Sequence, residues 1–242
     1  MGPERSRNHD QFTDTMAVAA PEAPVAEVGW APHYIAVEGP IGVGKTTLAR
    51  RLADTFHRPL VLEPAIENPF LDRFYREGRR HALPTQLFFL LHRANQVAGF
   101  ARDDLLGPIL VTDFLLEKDR LFARANLDEN EMELYEQIHR NLDVRPPTPD
   151  LVIYLQAPVA VLLDRIRRRG IAYEQRIDSE YVTLLSDAYT EFFHDYNEAP
   201  LLIINAAEID FADNEAHYRA LVEEIRNMSG VRHYFNPSPS LL

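Results

Sequence analysis

The chain has 242 residues, 46% of them hydrophobic, and no cysteine, which suits one domain with its own core and excludes disulfides and thiolate metal sites. Its formal net charge of -12 argues against non-specific binding to nucleic acid or to an anionic membrane, while leaving room for a small basic pocket. No apolar run approaches the roughly 20 residues of a membrane-spanning helix, and a cysteine-free chain fits a reducing cytoplasm.

Residues 1–31 read as a disordered N-terminal tail. Scattered charges run into Ala19-Ala20-Pro21-Glu22-Ala23-Pro24, and no apolar segment follows a basic start as it would in a signal peptide. The folded domain is expected over 32–232, with 233–242 as a loose C-terminal tail containing Asn236-Pro237-Ser238-Pro239-Ser240. Between the tails, short apolar runs at 34–38, 60–63, 109–113, 151–156 and 201–205 alternate with longer helical patterns. The runs are rich in Val, Ile and Leu and nearly unbroken, as in strands covered by helices on both faces. This predicts an α/β fold with a five-stranded parallel sheet. Glu38, Glu63, Asp113 and Gln156 each end a run, so they converge on the carboxyl edge where such sheets bind ligands.

The first strand leads into Gly39-Pro40-Ile41-Gly42-Val43-Gly44-Lys45-Thr46, followed by Thr47 as the next helix opens. Strand before and helix after are the contexts a phosphate-binding P-loop requires. Its backbone N–H groups and the helix N-terminus would cradle phosphates, Lys45 would reach the β- and γ-phosphates, and the Thr46 hydroxyl would ligate Mg²⁺. At the end of the second strand, Glu63 can face the γ-phosphate across the cleft and take a proton from an attacking hydroxyl; a solvated strand-end acid is the plainer alternative.

The next helical pattern, over 83–102, offers Leu87, Leu90, Leu91, Ala94 and Val97 to the core. Gln86 and Arg93, seven apart, share one face. The Gln86 amide carries a donor and an acceptor, enough for two bonds to a purine edge. Phe88 and Phe89 read as core, although one could line a base pocket. Farther on, Arg165 and Arg169 lie four apart in Arg165-Ile166-Arg167-Arg168-Arg169-Gly170, so both guanidiniums can turn toward a transferring phosphoryl group.

Glu63-Pro64, Asn68-Pro69-Phe70-Leu71, Phe74-Tyr75 and Pro84-Thr85-Gln86 together resemble the deoxynucleoside kinases, and within them the bacterial deoxyguanosine kinase type. The resemblance runs from about Tyr34 to Phe211. It implies a P-loop kinase fold with an arginine-rich lid that phosphorylates the 5′-hydroxyl of a deoxynucleoside, deoxyguanosine first and deoxyadenosine next, using ATP and Mg²⁺. Glu63 is then the catalytic carboxylate, Tyr75 and Glu174 hold the sugar 3′-hydroxyl, and Gln86 and Arg93 line the base. Asp210 and Phe211 lie over the adenine of ATP. Many family members have an arginine where this chain has Phe114, whereas the deoxyguanosine type has an aromatic residue there, as in Asp113-Phe114. Asp113 remains a Mg²⁺ ligand, directly or through water. Either Asp119 or Lys118 approaches the base pocket. A second lid arginine is replaced by Ile171, for which Arg167 or Arg168 can compensate.

The resemblance also implies a cytoplasmic homodimer. The stripe Met132, Tyr135, Ile138 and Leu142 on a helix over 129–141 can either contribute to the dimer or belong to the internal core. Two other readings compete: a nucleoside monophosphate kinase, which needs extra cations for the acceptor's phosphate, and a non-catalytic nucleotide-binding subunit on the same fold. The histidines show no metal-ligand spacing, and no nucleic-acid or membrane partner is expected.

Overall fold

The computed structural model describes residues 30–100 and 108–236. The expected N-terminal tail up to residue 29, the last two positions of the helix expected over 83–102, and the chain from 237 onward lie outside those residues. The sheet has strands β1 (Tyr34–Glu38), β2 (Leu60–Val61), β3 (Leu110–Thr112), β4 (Leu151–Gln156), β5 (Leu201–Asn205) and β6 (Arg232–Phe235). They run in the order β2-β3-β1-β4-β5-β6, and every pairing is parallel.

The side-chain period of two sends alternate residues of the inner strands into two different cores. Ile35, Val37, Ile153, Leu155, Leu202 and Ile204 join one cluster with helices α1 (Lys45–Phe56), α6 (Val159–Arg169) and α8 (Glu215–Asn227). Ala36, Val152, Tyr154, Leu201 and Ile203 meet α4 (Lys118–Asn126) and α7 (Ser179–Asp195) on the other face. Each fully buried aliphatic side chain contributes roughly 1.5–3 kcal/mol. Neither face can therefore accommodate polar residues cheaply, and the sequence shows unbroken apolar runs. A third cluster joins α2 (Leu71–Glu77), α3 (Ala82–Phe100) and α5 (Glu129–Leu142) beside the sheet.

Six strands replace the five expected. β6 is an edge strand, half-exposed and written Arg-His-Tyr-Phe, so it lacks the buried apolar run that marks the others. It pairs along β5 from Leu201↔Arg232 to Ile204↔Phe235, so regular structure continues three residues past the expected domain end at 232. β2 is shorter than expected. Pro64 has no N–H to give a ladder, and the Glu63 N–H donates instead to Asp113 Oδ1 at 2.7 Å. Leu91 is 46% exposed rather than core, whereas Leu90, Ala94 and Val97 are buried as expected. On α5, Tyr135 is fully buried, and the partly buried Met132, Ile138 and Leu142 pack against the same cluster.

Candidate active site

The turn after β1 departs from ordinary backbone at Gly39 (φ 146°) and Gly44 (φ 107°). A Cβ on Gly39 would lie 2.3 Å from the Leu155 carbonyl oxygen, and one on Gly44 would press on the Phe211 ring at 3.0 Å. Only glycine allows this close approach, and α1 starts at the next residue, Lys45. Lys45 Nζ donates to the carbonyls of Gly39 (2.7 Å) and Pro40 (3.1 Å). Desolvation, with the Lys118 charge second, pulls its ammonium down to about 7. The Thr46 hydroxyl donates to Asp113 Oδ2 at 2.5 Å, and the other oxygen of Asp113 takes the Glu63 N–H. Asp113 thus ties the P-loop helix to the end of β2 and sets Glu63 opposite the loop.

One cavity runs from Lys45 and Thr46 past Glu63 to Gln86 and Arg93, and is closed on the far side by Tyr75, Arg169 and Glu174. Glu63 carries a cation on each oxygen: Arg93 pairs with Oε1, and Lys118 Nζ donates to Oε2 at 2.9 Å. The second Nη of Arg93 pairs with Asp119, whose side chain is 1% exposed. Burial lowers Arg93 to about 10, leaving it charged at neutral pH. Its guanidinium lies between the rings of Phe89 (5.2 Å) and Phe114 (5.9 Å), which gives Phe114 a packing role. Gln86 is buried and lines the cavity. Seven residues apart on α3, Gln86 and Arg93 reach the same cavity, as their spacing predicts.

A family model described as deoxynucleoside kinase matches residues 35–229. The chain belongs to the deoxynucleoside kinase family. It is 31% identical over 200 residues to a deoxyguanosine kinase of Bacillus subtilis, covering 81% of this chain and 97% of the relative. A deoxyadenosine kinase of Lactobacillus acidophilus is 27% identical over 80% of this chain and 94% of its own length. A solved deoxyadenosine kinase from M. mycoides superposes with a TM-score of 0.71 at 23% identity, covering 81% of this chain and all of that one. The protein is therefore a phosphotransferase that takes small nucleosides and nucleotides, with ATP as the donor implied by the family.

The kinase's lid divides the two expected arginines. Arg169, at the end of α6, lines the cavity and donates to Glu174 at 2.5 Å. Arg165 turns elsewhere, donating to the carbonyls of Val43 in the P-loop (3.0 Å) and Ala206 after β5 (2.7 Å). It joins the phosphate loop to the expected adenine loop and does not line the cavity. Arg168 pairs with Asp164 in solvent, and neither it nor Arg167 reaches the cavity. Tyr75 stacks on Tyr173 (5.9 Å, 5°) beside Glu174, and burial raises its phenol well above the usual value.

Asp210 caps its own turn by accepting the N–H groups of Ala212 and Asp213, and the Phe211 ring is buried against Gly44. Both shape the loop. Arg51 also anchors it, donating to the Phe211 carbonyl at 2.8 Å. The sequence offered no signal for Arg51, because its partners lie about 160 positions away. Phe89 lines the cavity while Phe88 stacks on His92, so the adjacent phenylalanines divide the two roles. Of the two candidates on α4, Lys118 lines the cavity and Asp119 lies behind Arg93.

Proposed function

We propose that the kinase phosphorylates the 5′-hydroxyl of purine deoxynucleosides, deoxyguanosine first and deoxyadenosine next, for nucleotide salvage in the cytoplasm. The observation that carries this reading is the single cavity in which Glu63 stands between the P-loop and the paired Gln86 and Arg93. Glu63 accepts the 5′-hydroxyl proton as the sugar oxygen bonds to the γ-phosphorus. The bond to the β,γ-bridging oxygen breaks, and ADP leaves. Lys45 and Arg169 neutralise the charge on the transferring group, so most of the rate comes from positioning and electrostatics. Arg165 serves the donor side by holding the P-loop against the base loop. Tyr75 and Glu174 are assigned to the 3′-hydroxyl.

The Gln86 amide can give its N–H to guanine O6 and accept from N1–H, or turn over and do the converse with adenine. That supports both purines, and the cationic Arg93 beside it favours the carbonyl of guanine. A monophosphate acceptor is disfavoured because Arg93 is already held by Glu63 and Asp119.

Among the described residues no three His, Asp or Glu side chains cluster as a metal cage. The Thr46 hydroxyl and Asp113 carboxylate, already 2.5 Å apart, are instead the oxygen donors Mg²⁺ accepts when phosphate and water complete its shell. Bound there, Mg²⁺ would neutralise phosphate charge. A homodimer is also proposed, supported by the exposed Leu91 and Leu134 on the neighbouring helices α3 and α5.

The test is a phosphorylation assay with ATP·Mg²⁺ across deoxyguanosine, deoxyadenosine, deoxycytidine, thymidine and the monophosphates. Absence of any nucleoside 5′-monophosphate product would overturn the reading, whereas preference for a pyrimidine would overturn only the purine assignment.

A further inference from the structure

Glu38 ends β1 directly below the P-loop and is 1% exposed. Its carboxylate is fixed by three donors: the Gly39 N–H (2.9 Å), the Leu115 N–H (3.0 Å) and the Tyr189 hydroxyl (2.8 Å). Among the described residues the one cation within 4 Å of it is Lys118, with Nζ 3.7 Å from Oε1, while Lys45 and Arg93 act on it from farther away. The same ammonium donates to Glu63 Oε2 at 2.9 Å, and the Lys118 side chain is 5% exposed.

We infer that Lys118 is a positioning residue for phosphoryl transfer, its ammonium bridging the carboxylates of Glu38 and Glu63 and so setting Glu63 against the P-loop. This rests on the proposed role of Glu63 as the proton acceptor. The contacts form a short chain from the loop to that base: the Gly39 N–H holds Glu38, Glu38 holds Lys118, and Lys118 holds Glu63. Arg93 cannot replace it. Its second Nη is committed to Asp119 on the base side, so it orients Glu63 relative to the nucleoside and not to the γ-phosphate. A buried ammonium between two anions has little rotameric freedom, so the second oxygen of Glu63 is held still. Displacement of a reacting group by about 1 Å lowers the rate by about a hundredfold.

Removing Lys118 also takes the nearest cation from the buried Glu38, so a loss of activity could follow from a loss of fold. The experiment therefore compares Lys118→Met, Lys118→Arg, the double variant Glu38→Gln/Lys118→Met, and Glu63→Gln, each by steady-state kinetics and thermal midpoint. Lys118→Met should lower kcat on the order of 10–100-fold while the nucleoside KM stays within about threefold. Lys118→Arg should recover most of kcat. In the double variant the midpoint should return toward that of the parent while kcat stays low. The inference is overturned if kcat returns together with the midpoint, or if Lys118→Met leaves kcat within about threefold of the parent. Glu63→Gln separates the two ideas: if it keeps turnover, the reading of Glu63 falls; if it loses turnover while Lys118→Met does not, only the role of Lys118 falls.

Discussion

Replacing Arg93 with methionine tests whether the centre of this site is a desolvated charge network. Methionine keeps most of the packing between Phe89 and Phe114 and removes only the cation. Asp119 is then left 1% exposed without its partner, and its Oδ2 already has none among the described residues. Glu63, at 16% side-chain exposure, keeps Lys118 and some water. Truncating one member of a buried pair costs roughly 3–5 kcal/mol, because the remaining charge stays buried and unpaired. That is a large share of the roughly 5–15 kcal/mol that holds a domain folded. Adding Asp119→Asn removes the stranded charge, so the double variant should be more stable than the sum of the single losses by at least about 2 kcal/mol. Equilibrium urea unfolding of the four proteins at one temperature, with the slope monitored for constancy, measures this coupling. A loss below about 1 kcal/mol for Arg93→Met, or strict additivity in the double variant, would refute the argument that the pair is buried and obligatory.

Three other outcomes follow from the same geometry. Gln86→Ala should lower kcat/KM for deoxyguanosine by about 10–100-fold, because the base edge enters the pocket without its partner; a loss spread equally over all four deoxynucleosides would remove Gln86 from base selection. Arg165→Ala should raise the ATP KM with a modest effect on kcat, because it holds two loop carbonyls, whereas Arg169→Ala should act mainly on kcat; identical profiles would mean that the two arginines share one role. Burial, with the Arg120 charge second, pushes the His139 imidazole below its usual value. The unfolded chain then takes up the proton more readily, so stability is complete above about 6.5 and declines as the pH falls below it. His139→Gln should flatten that decline in a series of thermal midpoints, and an unchanged pH dependence would exclude His139 as a contributor.

The parts of the molecule legible in the sequence are those fixed by local pattern. The P-loop is read from glycines that the backbone geometry requires, and four of the five expected strands are apolar because helices cover both sides. Gln86 and Arg93 share a face by helical period alone. β6 carries no such signal, because an edge strand buries little and Arg-His-Tyr-Phe is not an apolar run. Leu91 fits the apolar stripe of α3 yet stands 46% exposed, because hydrophobicity alone does not say how far the neighbouring elements cover a helix face.

Residue type and spacing by themselves determined that a phosphate-loop motif follows β1, that a carboxylate ends the next strand and that a glutamine and an arginine share one helix face. The tertiary structure decided how the charges are paired. Arg93 is shared between Glu63 and Asp119, Lys118 links Glu63 to Glu38, and Arg165 is drawn away from the cavity to two loop carbonyls. Such pairings join groups up to 122 positions apart. A buried charge takes whichever opposite charge or carbonyl the packing brings within reach, and that choice leaves no periodic trace along the chain.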